Sequence, residues 1–140
     1  MSAADCAACR GDWPPGEAFI TDCGPAKAYL HPDQFFPGWT LVVLSRHATE
    51  LWHLVREERH ALIDGVAEVA RALGEVYEAK KLNYELLGNE LPHIHWHVIP
   101  RRGDDPAPRR PVWTYPHETR ALSAAEQRAR IAAIRARLAQ

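Results

Sequence analysis

The run LPHIHWHVIPRR places three histidines, His93, His95 and His97, at every second position. Successive side chains of a β-strand point to opposite faces, so this spacing predicts a strand with three imidazoles on one face. Ile94 and Trp96 would then lie on the opposite, apolar face, which can pack on a helix. One histidine on a strand is usually a structural residue. Three in register pack no better than valine or threonine would, so the row indicates a function.

The residues of this row leave two functional roles open. The row could bind a metal, as His-x-His strands do in some hydrolases and oxygenases. Alternatively, one imidazole could be a nucleophile, because neutral imidazole is abundant near its unperturbed pKa of about 6.5 and forms covalent intermediates readily. A catalytic metal site needs an open coordination position and usually a carboxylate, and this strand contains no Asp or Glu.

The remaining hydrophobic patterns predict an α+β architecture. An amphipathic helix is predicted over residues 57–80, and a second helix over 123–139 begins with a capping box formed by Ser123 and Glu126. Five strand-like segments surround the first helix, and they are expected to pair mainly antiparallel. They cover residues 18–23, 26–31, 39–44, 81–88 and 92–101, with a turn at Gly24-Pro25 between the first two.

Composition limits the classes of partner and the compartment. The net charge is -1, which gives no electrostatic footprint for nucleic acid or an acidic membrane surface. No apolar stretch approaches the roughly 20 residues needed to span a bilayer. The first residues lack the basic and then apolar layout of a secretory signal, so the expected location is cytoplasmic.

Cysteine usage agrees with a cytoplasmic location. The chain has three cysteines, and an odd count in a short chain argues against a disulfide framework. Cys6 and Cys9 form a C-x-x-C pair near the N-terminus. On its own the pair could be half of a metal site, a redox pair or two unrelated thiols.

The histidine row also resembles the signature of the histidine triad (HIT) family, His-x-His-x-His followed by apolar residues. HIHWHVI matches it without a gap, and Pro100-Arg101 follows as it often does in the family. Upstream, FFPGWTLVVLSRHATEL and KLNYELLGN are similar to the strands that precede the triad, so the resemblance covers roughly residues 5 to 101. Trp39 departs from the pattern, since many members have histidine there. The resemblance implies a single HIT domain over residues 1–140, with an irregular segment 1–16 and a Pro/Arg-rich loop 102–122.

The resemblance also implies roles for individual residues. His95, the middle histidine, would attack the α-phosphate of a nucleotide and become nucleotidylated, while its other ring nitrogen donates to a backbone carbonyl. His97 would contact the phosphate and assist departure of the leaving group. Asn83 and Asn89 match positions that contact phosphate or ribose.

A structural zinc site is implied in the same way. Some bacterial members hold zinc with an N-terminal C-x-x-C pair, the histidine after the Pro-Gly strand and the first triad histidine. The matching residues are Cys6, Cys9, His47 and His93. Cys2His2 is a closed tetrahedral set without an open position, and ligation would attach residues 1–16 to the sheet.

The expected function is therefore that of a nucleotide hydrolase or transferase, acting on dinucleoside polyphosphates or nucleoside phosphoramidates through a nucleotidyl-histidine. The alternatives are a non-catalytic nucleotide-binding or sensor module and a metal-dependent hydrolase that uses the histidine row as ligands. The family resemblance also implies a homodimer. Trp13, Trp39, Trp52 and Trp113 are available for its interface, although Trp113 could instead lie at the mouth of the active site.

Overall fold

The computed structural model describes residues 1–139, so Gln140, the last residue of the expected domain, lies outside the described residues. It confirms the α+β architecture with five strands, one long helix and a C-terminal helix. In chain order the elements are β1 (Phe19–Cys23), β2 (Ala26–Leu30), β3 (Thr40–Leu44), α1 (Arg56–Val76), β4 (Lys81–Glu85), β5 (His95–Arg101) and α2 (Ala124–Leu138).

The five strands form one antiparallel sheet in the order β1-β2-β3-β5-β4. β1 and β2 form the predicted hairpin, and Gly24 accommodates its turn with φ +60°. β3 lies at the centre and is buried at every position, as its continuous apolar sequence indicates. It pairs with the histidine strand in a register that places Leu41 opposite His97 and Val43 opposite His95.

The helices cover one face of the sheet. On α1, Leu62, Val66, Val69 and Leu73 are buried, and they contribute to the same core as Val98 on the apolar side of β5. The opposite face carries His95 and His97. It is covered in part by a smaller apolar cluster that includes Trp39 and Val112. The alternation of β5 thus separates the core from a face available for chemistry.

α1 ends at Val76, four residues before the predicted end at Lys80. The chain reverses at Glu78, which has φ +50°, and the Ala79 N–H donates to the Gly74 carbonyl at 3.0 Å. This is the bond pattern of a Schellman helix end, which usually has glycine where this chain has Glu78. The early end lets the Lys80 N–H donate to the Arg101 carbonyl at 2.8 Å, next to the start of β4.

The histidine strand begins at His95, three residues after the predicted start at Pro92, so His93 is not part of it. The His93 N–H donates to the Leu91 carbonyl at 2.8 Å, and the Ile94 N–H donates to the Ala48 carbonyl at 2.9 Å. These bonds turn the backbone at His93 out of the ladder. His93 therefore lies just before β5, and the histidines of the strand itself are His95 and His97.

At the C-terminus, both bonds of the predicted capping box at the start of α2 are present, which confirms it. Within residues 1–139, no helix combines the length and the apolar character required to cross a bilayer.

Candidate active site and cysteine–histidine cluster

A cavity of about 600 Å³ opens on the histidine face of the sheet. Its size is that of an ordinary small-molecule site. It is lined by Ala7, Trp13, His31, Leu87, Gly88, Asn89, Glu90, Leu91, His95, His97 and Trp113. The cavity therefore combines two histidines of the row with aromatic residues from both ends of the chain.

His95 lies in the cavity wall with one ring nitrogen already committed. Its Nδ1 donates to the backbone carbonyl of His93 at 2.7 Å, because a carbonyl oxygen can only accept. The neutral ring therefore carries its lone pair on Nε2. The rings of Trp13 and His95 meet edge-on with their centroids 5.1 Å apart, and His95 is 7% exposed. This fixed tautomer is the one that a nucleophilic imidazole requires.

His97 lies beside His95, with ring centroids 5.3 Å apart. Its Nδ1 accepts a hydrogen bond from the indole Nε1–H of Trp39 at 3.1 Å. Burial, and secondarily the neighbouring His95 and His31, lower the pKa of His97 to about 3. His97 is therefore a neutral ring at physiological pH.

His93 belongs to a different site from the other two histidines. Its Nε2 donates to the Leu44 carbonyl at 2.7 Å, which leaves Nδ1 unprotonated. That nitrogen lies 3.4 Å from the Sγ of Cys6 and 3.5 Å from the Sγ of Cys9. His47 completes the group, with its Nδ1 3.4 Å from the Cys9 Sγ.

These four residues, Cys6, Cys9, His47 and His93, have the geometry of a metal site. Their ligand atoms all lie within 4.8 Å of one another. Zinc bonds of roughly 2.3 Å to sulfur and 2.1 Å to nitrogen give tetrahedral S···N edges of about 3.6 Å, close to the three S···N distances of 3.4–3.5 Å. The residues fit a closed Cys2His2 zinc site, and neither His95 nor His97 contributes to it.

The two predicted asparagines lie in different places. Asn89 lines the cavity with His95 and His97. Asn83 lies in a separate depression, where its Oδ1 accepts from the Arg101 Nη1 at 2.7 Å. The structure thus brings Asn89 to the two histidines, whereas Asn83 contacts Arg101.

The four tryptophans available for an interface lie in three different environments. Trp39 is 2% exposed, so its assignment to an interface is wrong: its indole is packed under the cavity against His97. Trp13 and Trp113 line the cavity, which confirms the alternative position for Trp113. Trp52 is 76% exposed.

Trp113 is held at the cavity by a bond to the edge strand. Its Nε1 donates to the Oε1 of Glu85 at 2.6 Å, and Glu85 pairs with His97 across β4 and β5. The indole contacts the His97 ring edge-on at 5.1 Å. His31 reaches the same cavity from the end of β2 and stacks on Trp39 at 4.0 Å. Sequence reasoning missed His31; its one signal is its position at the end of a strand neighbouring the Pro-Gly strand.

Comparison with known proteins identifies relatives of this arrangement. The family profile described as the HIT domain matches residues 17–104. A bis(5′-nucleosyl)-tetraphosphatase (asymmetrical) of Schizosaccharomyces pombe is 29% identical over 85 residues, which are 57% of this chain and 47% of that protein. The chain thus spans about half the length of this relative.

Solved structures give longer matches. A histidine triad protein from Bradyrhizobium japonicum is 34% identical with a TM-score of 0.78, over 87% of this chain and 92% of that chain. A zinc-bound histidine triad family protein from Mycobacterium smegmatis is 25% identical with a TM-score of 0.72, over 99% of this chain and 96% of that chain.

Proposed function

The chain belongs to the histidine triad family, and on that premise we propose that it is a nucleotide hydrolase or transferase with His95 as its nucleophile. It acts on the α-phosphate of nucleotidyl substrates, either dinucleoside polyphosphates or nucleoside phosphoramidates. The observation that carries the proposal is the bond from His95 Nδ1 to the His93 carbonyl, which leaves the Nε2 lone pair in a substrate-sized cavity. The tetraphosphatase relative supports the same class of substrate.

The reaction proceeds by two displacements at one phosphorus. The Nε2 lone pair of His95 forms a P–N bond as the bond to the leaving group breaks, and the leaving group takes that bond's electron pair. Water then attacks the same phosphorus and breaks the P–N bond. This step releases the nucleoside monophosphate and a proton and restores the lone pair of His95. Two positioned steps thus replace one hard displacement.

The walls of the cavity fit a nucleotide bound around that phosphorus. His97 and the side-chain amide of Asn89 can donate hydrogen bonds to phosphate oxygens. Trp13 and Trp113 offer aromatic surfaces on which a base can stack. The charge develops on phosphate oxygens, so catalysis is mainly a matter of placing donors around them.

Trapping the intermediate tests this function. The protein is mixed with diadenosine tetraphosphate, quenched in alkali within one turnover and digested for mass spectrometry. We expect an adenylyl group on the peptide that contains His95, and none in His95→Ala. His60→Ala is a matched control, because His60 is exposed on α1. Nucleotide binding without any adduct or turnover would favour the non-catalytic binding module instead.

Structural zinc in the cysteine–histidine cluster is a second part of the proposal. The metal would hold the Cys6–Cys9 segment against the loop of His47 and against His93, which lies just before the nucleophile strand. Its role there is to cross-link the N-terminal segment to the sheet, since Cys2His2 leaves no open position. The zinc-bound relative supports this assignment. We expect one zinc per chain by elemental analysis, and none in Cys6→Ser.

Homodimerisation through the β4 edge is the third part. The opposite edge of the sheet is covered, because Arg135 of α2 donates to the carbonyls of Phe19 and Ile20 at 3.2 and 2.6 Å. β4 is the other edge, where Tyr84 is 48% exposed and the following Leu87 is 54% exposed. Pairing two β4 edges would protect both from non-specific association. Light scattering should report a dimer that Tyr84→Lys converts to a monomer.

A further inference from the structure

Trp39 determines which nitrogen of His97 carries the proton. The indole Nε1–H is a donor with no acceptor capacity, and it lies 3.1 Å from the His97 Nδ1. Nδ1 must therefore present its lone pair, and the proton of the neutral ring lies on Nε2. Within residues 1–139, this is the one hydrogen bond of the His97 ring, which itself lines the cavity.

Contacts to the backbone at Trp39 and to its indole hold the ring against His97. The side-chain amide of Gln34 donates to the Trp39 carbonyl at 2.9 Å and accepts from the Gly38 N–H at 2.9 Å. Gly38 has φ +90°, and a Cβ there would lie 2.5 Å from the Tyr77 ring. His31 stacks on the indole with its ring 8° from parallel.

His95 and His97 consequently have opposite tautomers. His95 keeps its proton on Nδ1 and carries its lone pair on Nε2, whereas His97 accepts at Nδ1 and carries its proton on Nε2. The cavity wall therefore presents one nucleophilic nitrogen and one N–H donor on adjacent rings, whose centroids are 5.3 Å apart. One can attack phosphorus while the other donates to an anionic oxygen.

His97 cannot supply a proton of its own. A second proton would have to occupy Nδ1, directly opposite the indole N–H. The titratable groups around the ring are His95 on its own strand, His31 at 5.8 Å and Glu85 of β4, opposite in register. Glu90 also lines the cavity, but it makes no hydrogen bond to the His97 ring. Glu85 accepts from Trp113 through Oε1. Burial, assisted by the two histidines, keeps the pKa of His97 low, which agrees with the geometry.

We propose that Trp39, by fixing His97 as an Nε2–H donor, selects substrates whose leaving group departs as a stable anion. The site then favours phosphoanhydrides such as dinucleoside polyphosphates over nucleoside phosphoramidates. This inference rests on the proposed function. Trp39 is a positioning residue here, because it acts on the substrate through His97.

The two leaving groups differ in their need for a proton. When His95 attacks an anhydride, the P–O bond breaks and its electron pair leaves on a phosphate oxygen, which is stable as an anion. When it attacks a phosphoramidate, the P–N bond breaks, and the departing nitrogen must gain a proton to leave as an amine. Neither ring offers that proton, since His95 retains its Nδ1–H on the His93 carbonyl.

Nitrogen NMR of the ligand-free protein tests the tautomer without any turnover. With ¹⁵N-labelled histidine, we expect His97 to show an unprotonated Nδ1 and a protonated Nε2 from pH 5 to 8. Trp39→Phe removes the indole donor, so the proton of the His97 ring should no longer be confined to Nε2. Trp113→Phe is the matched control, because Trp113 also contacts His97 but donates to Glu85. A wild-type His97 that is protonated on Nδ1, or that titrates in this range, overturns the proposal even if Trp39→Phe does not fold.

Substrate competition tests the specificity. Diadenosine tetraphosphate and adenosine phosphoramidate are compared by kcat/KM for wild type and Trp39→His, whose imidazole can both donate and accept. We expect the wild type to prefer the anhydride, and the variant to shift the ratio toward the phosphoramidate by on the order of 100-fold, the lower range of general acid catalysis. Preference for the phosphoramidate, or an unchanged ratio, overturns the specificity. No turnover of either substrate by wild type refutes the proposed function and with it the specificity, while NMR still decides the tautomer.

Discussion

The Arg101 side chain should be the most sensitive charged group for stability. It is 2% exposed, and Nε and Nη2 bind both oxygens of Asp105 at 2.6 and 3.1 Å. The same guanidinium donates to the Asn83 Oδ1 at 2.7 Å and to the carbonyls of Ala107 and Arg110 at 2.6 Å. One side chain thus attaches the loop after β5, which leads to Trp113, to the sheet.

Arg101→Met removes these bonds and leaves the Asp105 carboxylate buried without its cation. Breaking a buried ion pair from one side costs about 3–5 kcal/mol. At this chain length about 3 °C is lost per kcal/mol, so the melting temperature should fall by about 10 °C. Burial alone would raise the pKa of Asp105, but hydrogen bonds from Arg101 and the Ala107 N–H lower it. The pair's contribution is therefore present above the unfolded pKa of about 3.9 and lost in stronger acid.

Urea denaturation at pH 7 measures this loss against a matched surface pair. Arg46 also binds both oxygens of one carboxylate, that of Glu58, but its side chain is 51% exposed. Arg46→Met should cost much less than Arg101→Met, because solvent screens an exposed ion pair. If Arg101→Met is no more destabilising than Arg46→Met, the reasoning from burial is refuted.

Three further predictions concern the metal, acid stability and the base-stacking wall. A strong chelator should release zinc slowly and lower the melting temperature of wild type and of Cys23→Ser alike, and an unchanged melting curve would contradict a structural metal. The pKa of His31 is lowered to about 4 and that of His97 to about 3, mainly by burial. Because the unfolded chain takes up these protons first, the free energy of unfolding should fall as the pH drops from about 6.5 to 4. His97→Gln should reduce that slope by about 1.4 kcal/mol per pH unit. Trp113 is 51% exposed and donates one hydrogen bond to Glu85, so Trp113→Ala should lower the melting temperature by less than Arg101→Met while raising KM on the order of 10-fold through lost base stacking. A large fall in the melting temperature together with the rise in KM would argue that Trp113 acts through the structure of the cavity wall and not through base stacking.

The sequence predicts most of the sheet because its local patterns agree with the tertiary environment. β3 is apolar throughout and buried throughout, and the alternation of β5 from His95 onward separates the core from the cavity. The helix end at Glu78 was beyond prediction, since the left-handed residue there is not glycine. His93 lies outside the strand because its N–H bonds to the Leu91 carbonyl and the N–H of Ile94 bonds to the Ala48 carbonyl. No local sequence pattern encodes these bonds.

The site was predictable where one short motif carries it and less so where distant segments meet. His95 and His97 follow from the spacing of the row. Trp13 and Trp113 lie far apart in the chain, and the cavity forms only when the segments that contain them fold over the same sheet face. Trp39 departs from the family pattern in the sequence itself, but its contact with His97 depends on how the Pro-Gly turn packs.

If His95 is the catalytic nucleophile, AMP release from diadenosine tetraphosphate must depend on it. Wild type and His95→Ala are compared side by side, with equal folding verified by circular dichroism. Turnover by wild type that disappears in the variant is the predicted result. No turnover by a well-folded wild type, or equal turnover in both proteins, would show that His95 is not a nucleophile for this substrate.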